Sequence, residues 1–109
     1  MAIVSTHILN RLDGSHAGGV SVRLVNLDTG ETLFETATDD GGRLKEDIPS
    51  PDPKAEYELA VDAGTFWTAR GHPTRLTWIA MRFRMMQADG TYHSPIIFSP
   101  NGYSAWISG

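Results

Sequence analysis

Residues 3–9 read Ile-Val-Ser-Thr-His-Ile-Leu, and their alternation decides the class of fold. Val4, Thr6 and Ile8 fall on one face, with Ile3, Ser5, His7 and Leu9 on the other. That period of two belongs to a strand, whose successive side chains leave opposite sides of the backbone. The pattern recurs downstream. Val20, Val22 and Leu24 alternate with Ser21 and Arg23, and Tyr57, Leu59 and Val61 share a side of "EYELAVDA". In "RLTWIAMRFRMM" (75–86), Trp78, Ala80, Arg82 and Arg84 oppose Ile79, Met81, Phe83 and Met85.

Turn chemistry separates these runs. "NRLDGSHAGG" (10–19), "DTGE" (28–31), "DDGG" (39–42) and "QADG" (87–90) are rich in Gly and Asp, and "PSPDP" (49–53) excludes itself from a sheet interior. Only "GTFWTARGHP" (64–73) can hold a helix, expected near residues 64–71 and ended by Pro73, because proline disfavours a helical residue before it. About eight short strands with one helical turn predict an all-β fold, an antiparallel β-sandwich. No repeat or linker interrupts residues 1–109, which read as a single domain.

Composition narrows the function classes. The chain has 109 residues, 40% hydrophobic and 20% charged, with a net charge of −4. Its nine Lys and Arg are scattered, which argues against a nucleic-acid or anionic-membrane partner. With no cysteine, disulfide and thiolate chemistry are excluded. "MAIVSTHILN" lacks the basic start and unbroken apolar run of a signal peptide, and no stretch approaches a membrane span, so a cytoplasmic location is expected.

Three residues can carry chemistry: His7 in mid-strand, Arg43 after the Gly-Gly turn, and His93 in "YHSP". Spacing alone does not bring them together, and a lone histidine in a sandwich is usually a surface or interface side chain. The four histidines form no His-x-His or His-x-x-x-His pair, so neither a metal nor another cofactor is expected. The turn glycines precede no helix and cradle no phosphate, and Ser94 and Ser104 lack a nucleophile-elbow context.

These residues resemble a known family. "VSTHILNRLDGSHAGGVSVRL" is similar to the opening of the 5-hydroxyisourate hydrolases, the transthyretin-related enzymes of urate breakdown. There a Ser/Thr-His-Ile/Leu-Leu strand precedes a Gly-Xaa-Pro-Ala turn and a Val-rich strand. "TDDGGRLK" resembles their Thr-Xaa-Xaa-Asp-Gly-Arg segment, and "YHSPIIFSPNGYS" their Tyr-His-Xaa-Pro-Leu-Leu-Leu-Ser-Pro-Xaa-Gly-Tyr-Ser stretch. The resemblance implies a transthyretin-like sandwich of two four-stranded sheets, assembled as a homotetramer (a dimer of dimers) with sites in the channel between dimers. It implies catalytic roles for His7, Arg43 and His93, and a small heterocyclic substrate. Hormone-carrying transthyretins have a lysine where His7 lies and run on past this chain's end.

Two segments depart from the family. The hydrolases end in Tyr-Ser-Thr-Tyr-Arg-Gly-Ser, whereas this chain reads Tyr103-Ser104-Ala105-Trp106-Ile107-Ser108-Gly109. "TRLTW" (74–78) stands where they have an aromatic-rich Phe-Pro-Glu element. By position, Tyr103, Trp106, Ile107 and Ser108 are the expected substrate-binding residues, with the tail as the final strand delivering Trp106 and Ile107 to the channel edge. Losing the tail arginine removes a planar donor fork, a loss on the order of 2–4 kcal/mol in transition-state stabilisation. Trp106 offers a large apolar face and one donor. Arg70, His72, Arg82 and Arg84 are the candidates to restore the charge. The function expected is metal-independent hydrolysis of a cyclic amide, 5-hydroxyisourate. The alternatives are a related hydrolase acting on a less polar cyclic amide, imide or lactone, and a non-catalytic small-molecule binder.

Overall fold

The alternation along residues 2–10 becomes strand β1 (Ala2–Asn10), in which buried and half-buried residues alternate without a break. The computed structural model describes residues 1–109. After β1 come β2 (Ser21–Asn26), β3 (Thr32–Ala37), β4 (Arg43–Ile48), β5 (Tyr57–Asp62), helix α1 (Ala63–Ala69), β6 (Trp78–Phe83), β7 (Thr91–Ser99) and β8 (Gly102–Ala105). They form two four-stranded sheets, ordered β4-β1-β7-β8 and β3-β2-β5-β6. The expected transthyretin-like sandwich is therefore what the chain builds. All pairings are antiparallel except that of β1 with β7, which run parallel.

The inner faces enclose a cluster of 21 buried apolar residues. Val4 and Ile8 of β1, Val22 and Leu24 of β2, Leu59 and Val61 of β5 and Ile96 and Phe98 of β7 all enter it. Helix α1 closes one end with a T-shaped pair, Phe66 and Trp67, whose rings lie 5.0 and 5.1 Å from that of Phe98. Asp62 starts this helix by accepting a hydrogen bond from the backbone N–H of Thr65.

The helix stops earlier than expected and for a different reason. Gly71, at φ +76°, donates to the Thr68 carbonyl, and the N–H of His72 reaches the Trp67 carbonyl. A left-handed glycine closing the last turn in this way is a Schellman ending, so Gly71 ends the helix before Pro73 is reached. β6 is also shorter than the alternation in residues 75–86 suggested. Met85 lies beyond it and is still fully buried, so the periodic pattern outlasts the strand pairing. No helix is long and apolar enough to cross a membrane.

Candidate active site

Register places the chemistry-bearing residues on the outer face of the β4-β1-β7-β8 sheet. His7 pairs with Arg43 on β4 and with Pro95 on β7. Ser5 pairs with Lys45 and with His93, and His93 in turn forms a bridge with Ser108. Leu9 pairs with Ile97 and bridges to His16, which continues the line of β4 beyond its turn. Side chains directly opposite on neighbouring strands share a face, so three rows run across the sheet. They are Lys45–Ser5–His93–Ser108, Arg43–His7–Pro95–Trp106 and His16–Leu9–Ile97–Ser104, with Trp106 placed by the register that Ala105 and Ser108 fix on either side of it.

This brings His7, Arg43 and His93 together, which sequence spacing could not do. His7 and Arg43 are immediate cross-strand neighbours. His93 sits diagonally, one strand over and two residues back, which places its Cα roughly 8 Å from that of His7 given the usual strand spacing and rise.

Each histidine has a distinct setting. The Oγ of Ser5 lies 2.8 Å from Nδ1 of His93, a hydrogen bond that fixes the ring's orientation. The Nε2 of His7 has no hydrogen-bond partner in the chain. The His7 ring meets that of His16 edge to face, with centroids 4.9 Å apart. The His7 pKa falls below the ordinary 6.5, first because burial disfavours the imidazolium and then because Arg43 and His16 add positive charge beside it. A hydrogen bond with the Gly41 backbone opposes these effects.

The row of His93 opens onto a depression of about 400 Å³ lined by Ile3, Ser5, Arg43, Lys45, Thr91 and His93. A larger one, about 530 Å³, lies beside α1 among Asp62, Thr65, Thr68 and Trp78. It contains no histidine or arginine, so chemistry favours the smaller one. No three His, Cys, Asp or Glu side chains cluster anywhere in a way that could hold a metal ion.

The tail departs from expectation. β8 ends at Ala105, and the pairing resumes only where Ser108 and His93 exchange backbone hydrogen bonds of 2.9 and 3.0 Å. Trp106 is 50% exposed and shares the outer-face row of His7. Ile107 does not reach that face, because it sits one residue out of phase and packs against the core instead. Tyr103 pairs with buried Phe98, so it also lies off the His7 face, exposed at the sheet's edge.

None of the four candidate replacement cations is on this face. Arg82 pairs with Glu56 and Glu58 on the other sheet, and Arg70 stacks on Phe66. His72 packs against Trp67, and Arg84 follows β6 in the opposite sheet. The sequence reading missed Ser5, His16 and Lys45. All three stand on outward-facing positions next to residues that it did single out.

A family model described as HIUase/Transthyretin family matches residues 4–107. The 5-hydroxyisourate hydrolase of Pseudomonas aeruginosa is 28% identical, over 97% of this chain and 90% of its own. That of Mesorhizobium japonicum is 33% identical, over 94% of this chain and 89% of its own. The solved structure of Klebsiella pneumoniae 5-hydroxyisourate hydrolase superposes with a TM-score of 0.86 at 29% identity, covering 100% of both chains. Sequence and fold agree over nearly the full length, and the chain belongs to the HIUase/transthyretin family.

Proposed function

We propose that this protein hydrolyses 5-hydroxyisourate, opening its cyclic amide, with His7, Arg43 and His93 as the catalytic residues. The observation that carries the reading is their convergence on one face of one sheet, with Ser5 holding His93 and Arg43 directly beside His7. Relatives named as 5-hydroxyisourate hydrolases across most of the chain support it.

Hydrolysis adds the hydroxyl of water to the carbonyl carbon and its proton to the ring nitrogen, breaking the C–N bond. His7 suits the base, since its lowered pKa keeps the imidazole neutral and able to accept the water's proton. Arg43 supplies the positive charge for the carbonyl oxygen as it becomes an oxyanion. His93, oriented through Nδ1, can donate a proton to the departing nitrogen, and the cycle closes when His7 releases the proton it took from water and His93 regains one. The reaction as written needs only water and these side chains.

We place the reaction in the cytoplasm and in a homotetramer, whose second dimer would close over the outer face. Ile3, Leu9 and Ile97 support that assembly, because all three are half-buried and point outward from the same sheet as the site.

Trp106 favours one variation on this function. Its large apolar surface on the His7 row suits a less polar cyclic amide, imide or lactone. The deciding experiment is the loss of absorbance of freshly generated 5-hydroxyisourate, corrected for spontaneous decay. His7→Ala and His93→Ala should each cost about 10²–10⁴-fold in turnover while the assembly persists. Loss of 5-hydroxyisourate no faster with native protein than without it would overturn the hydrolase reading.

A further inference from the structure

The tail places no guanidinium on the site's face, so any second positive charge there must come from another element. On β4, Lys45 follows Arg43 by two residues, so both side chains leave the same side of the strand. Lys45 stands opposite Ser5, the residue that holds His93. With Arg43 and His93 it lines the 400 Å³ depression. It makes no ion pair, since the two in the chain both belong to Arg82. The acids nearest on its own strand are not aligned with it. Glu46 points to the opposite side, and Asp47 lies one row further on, opposite Ile3.

We propose that Lys45 is the second cation of this site, a substrate-binding residue that, with Arg43, holds the anionic edge of a planar heterocycle. The assignment rests on the ring-opening reading for its substrate class and on β4 geometry for its position. That edge is charged before the ring opens, so Lys45 acts on binding equally in ground state and transition state, and the bond-breaking chemistry stays with His7, Arg43 and His93. Arg43 offers a fixed donor fork beside His7, while Lys45 offers a mobile point charge on a flexible stem in the row of His93, across Ser5 from it. Such a charge recognises an anion without demanding one orientation, and this fits a site that lacks a second fork.

The test uses urate monoanion as a non-reacting probe. Its binding is followed by calorimetry alongside steady-state kinetics on 5-hydroxyisourate, for native protein, Lys45→Gln and Lys45→Arg. Lys45→Gln should weaken urate binding about 10-fold and raise KM by a similar factor, with kcat nearly unchanged. Lys45→Arg should restore most of the loss. Raising ionic strength from about 0.05 to about 0.5 M should weaken native binding more than that of Lys45→Gln. Because Lys45 is exposed, thermal unfolding should not change and a folding artefact can be recognised. Equal urate affinity in native protein and Lys45→Gln, or no urate binding by native protein, overturns the assignment. Native urate binding that depends on Lys45 but comes without turnover supports it and overturns the hydrolase reading alone. Turnover with KM unaltered in Lys45→Gln does the reverse.

Discussion

The Oγ of Ser5 lies 2.8 Å from Nδ1 of His93, although 88 residues separate them in the chain. The parallel pairing of β1 with β7 makes this contact by setting the two residues in register. A hydrogen bond of this kind contributes about 0.5–1.5 kcal/mol net, and here it also decides where the second ring nitrogen points. Ser5→Ala should therefore lower kcat by about 2–10-fold, leave KM little changed and leave the thermal midpoint within a few degrees of native. Unaltered kcat would show that the bond holds structure and not the reaction.

The pH profile follows from the surroundings of His7. Burial first, then Arg43 and His16, hold its pKa below 6.5. A base must be neutral to act, so a lowered pKa extends activity toward acid, and the acid limb of kcat/KM should fall below pH 6.5. His16→Ala removes one of these cationic neighbours and should move that limb upward, toward the ordinary histidine value, with the plateau preserved. A native limb at or above 6.5 would contradict a base role for His7, and a limb that His16→Ala leaves in place would remove His16 from the causes of its lowered pKa.

Gly42 links the fold to the site. It sits at φ +72°, its carbonyl accepts a hydrogen bond from the Ile8 N–H at 2.8 Å, and Arg43 follows it directly. A Cβ there would come 2.5 Å from the Ile8 carbonyl oxygen and 3.0 Å from the Ala17 nitrogen. Gly42→Ala should cost about 1–3 kcal/mol of stability and reduce activity further by displacing Arg43 from His7. Gly14 has a similar φ of +74° but nothing within 4 Å, so Gly14→Ala is the control. It should cost about 1 kcal/mol, the backbone strain alone, with turnover intact. Chemical denaturation and kinetics on both variants check this.

The outer face was legible in the sequence as far as alternation reaches. The phase of residues 3–9 put His7 and Ser5 on one side together, and the structure keeps that phase along all of β1. Sheet order is a different kind of information. That His93 lies beside Ser5, and Arg43 beside His7, depends on which strands pair and in what register, and no local pattern encodes that. Lys45 and His16 were missed for the same reason. Each looks like an ordinary polar residue until β4 and the 15–17 segment are laid against β1. In the tail, Ile107 was misplaced because order along the chain suggested a shared destination with Trp106, whereas consecutive residues in extended backbone face opposite ways.

That phase changes what a tail exchange should do. Replacing Trp106, Ile107, Ser108 and Gly109 by Tyr, Arg, Gly and Ser would copy the hydrolase ending, but position 107 packs against the core. An arginine there exchanges aliphatic cover for a charge at the core's edge. Gly109 sits at φ +142°, where a side chain would run into the Thr91 carbonyl. The fourfold replacement should therefore cost about 1–3 kcal/mol of stability and bring no gain on 5-hydroxyisourate. Position 106 is different, because it shares the row of His7 and is already half exposed. Trp106→Arg should keep the native thermal midpoint within a few degrees and raise kcat/KM on 5-hydroxyisourate by up to about 10-fold, the scale of one exposed charged contact. It should also lower affinity for less polar cyclic amides, which lose the indole face. The measurement pairs thermal unfolding with hydroxyisourate kinetics for both variants. A gain from the fourfold replacement at unchanged stability would mean that the tail shifts register by one residue and turns position 107 outward.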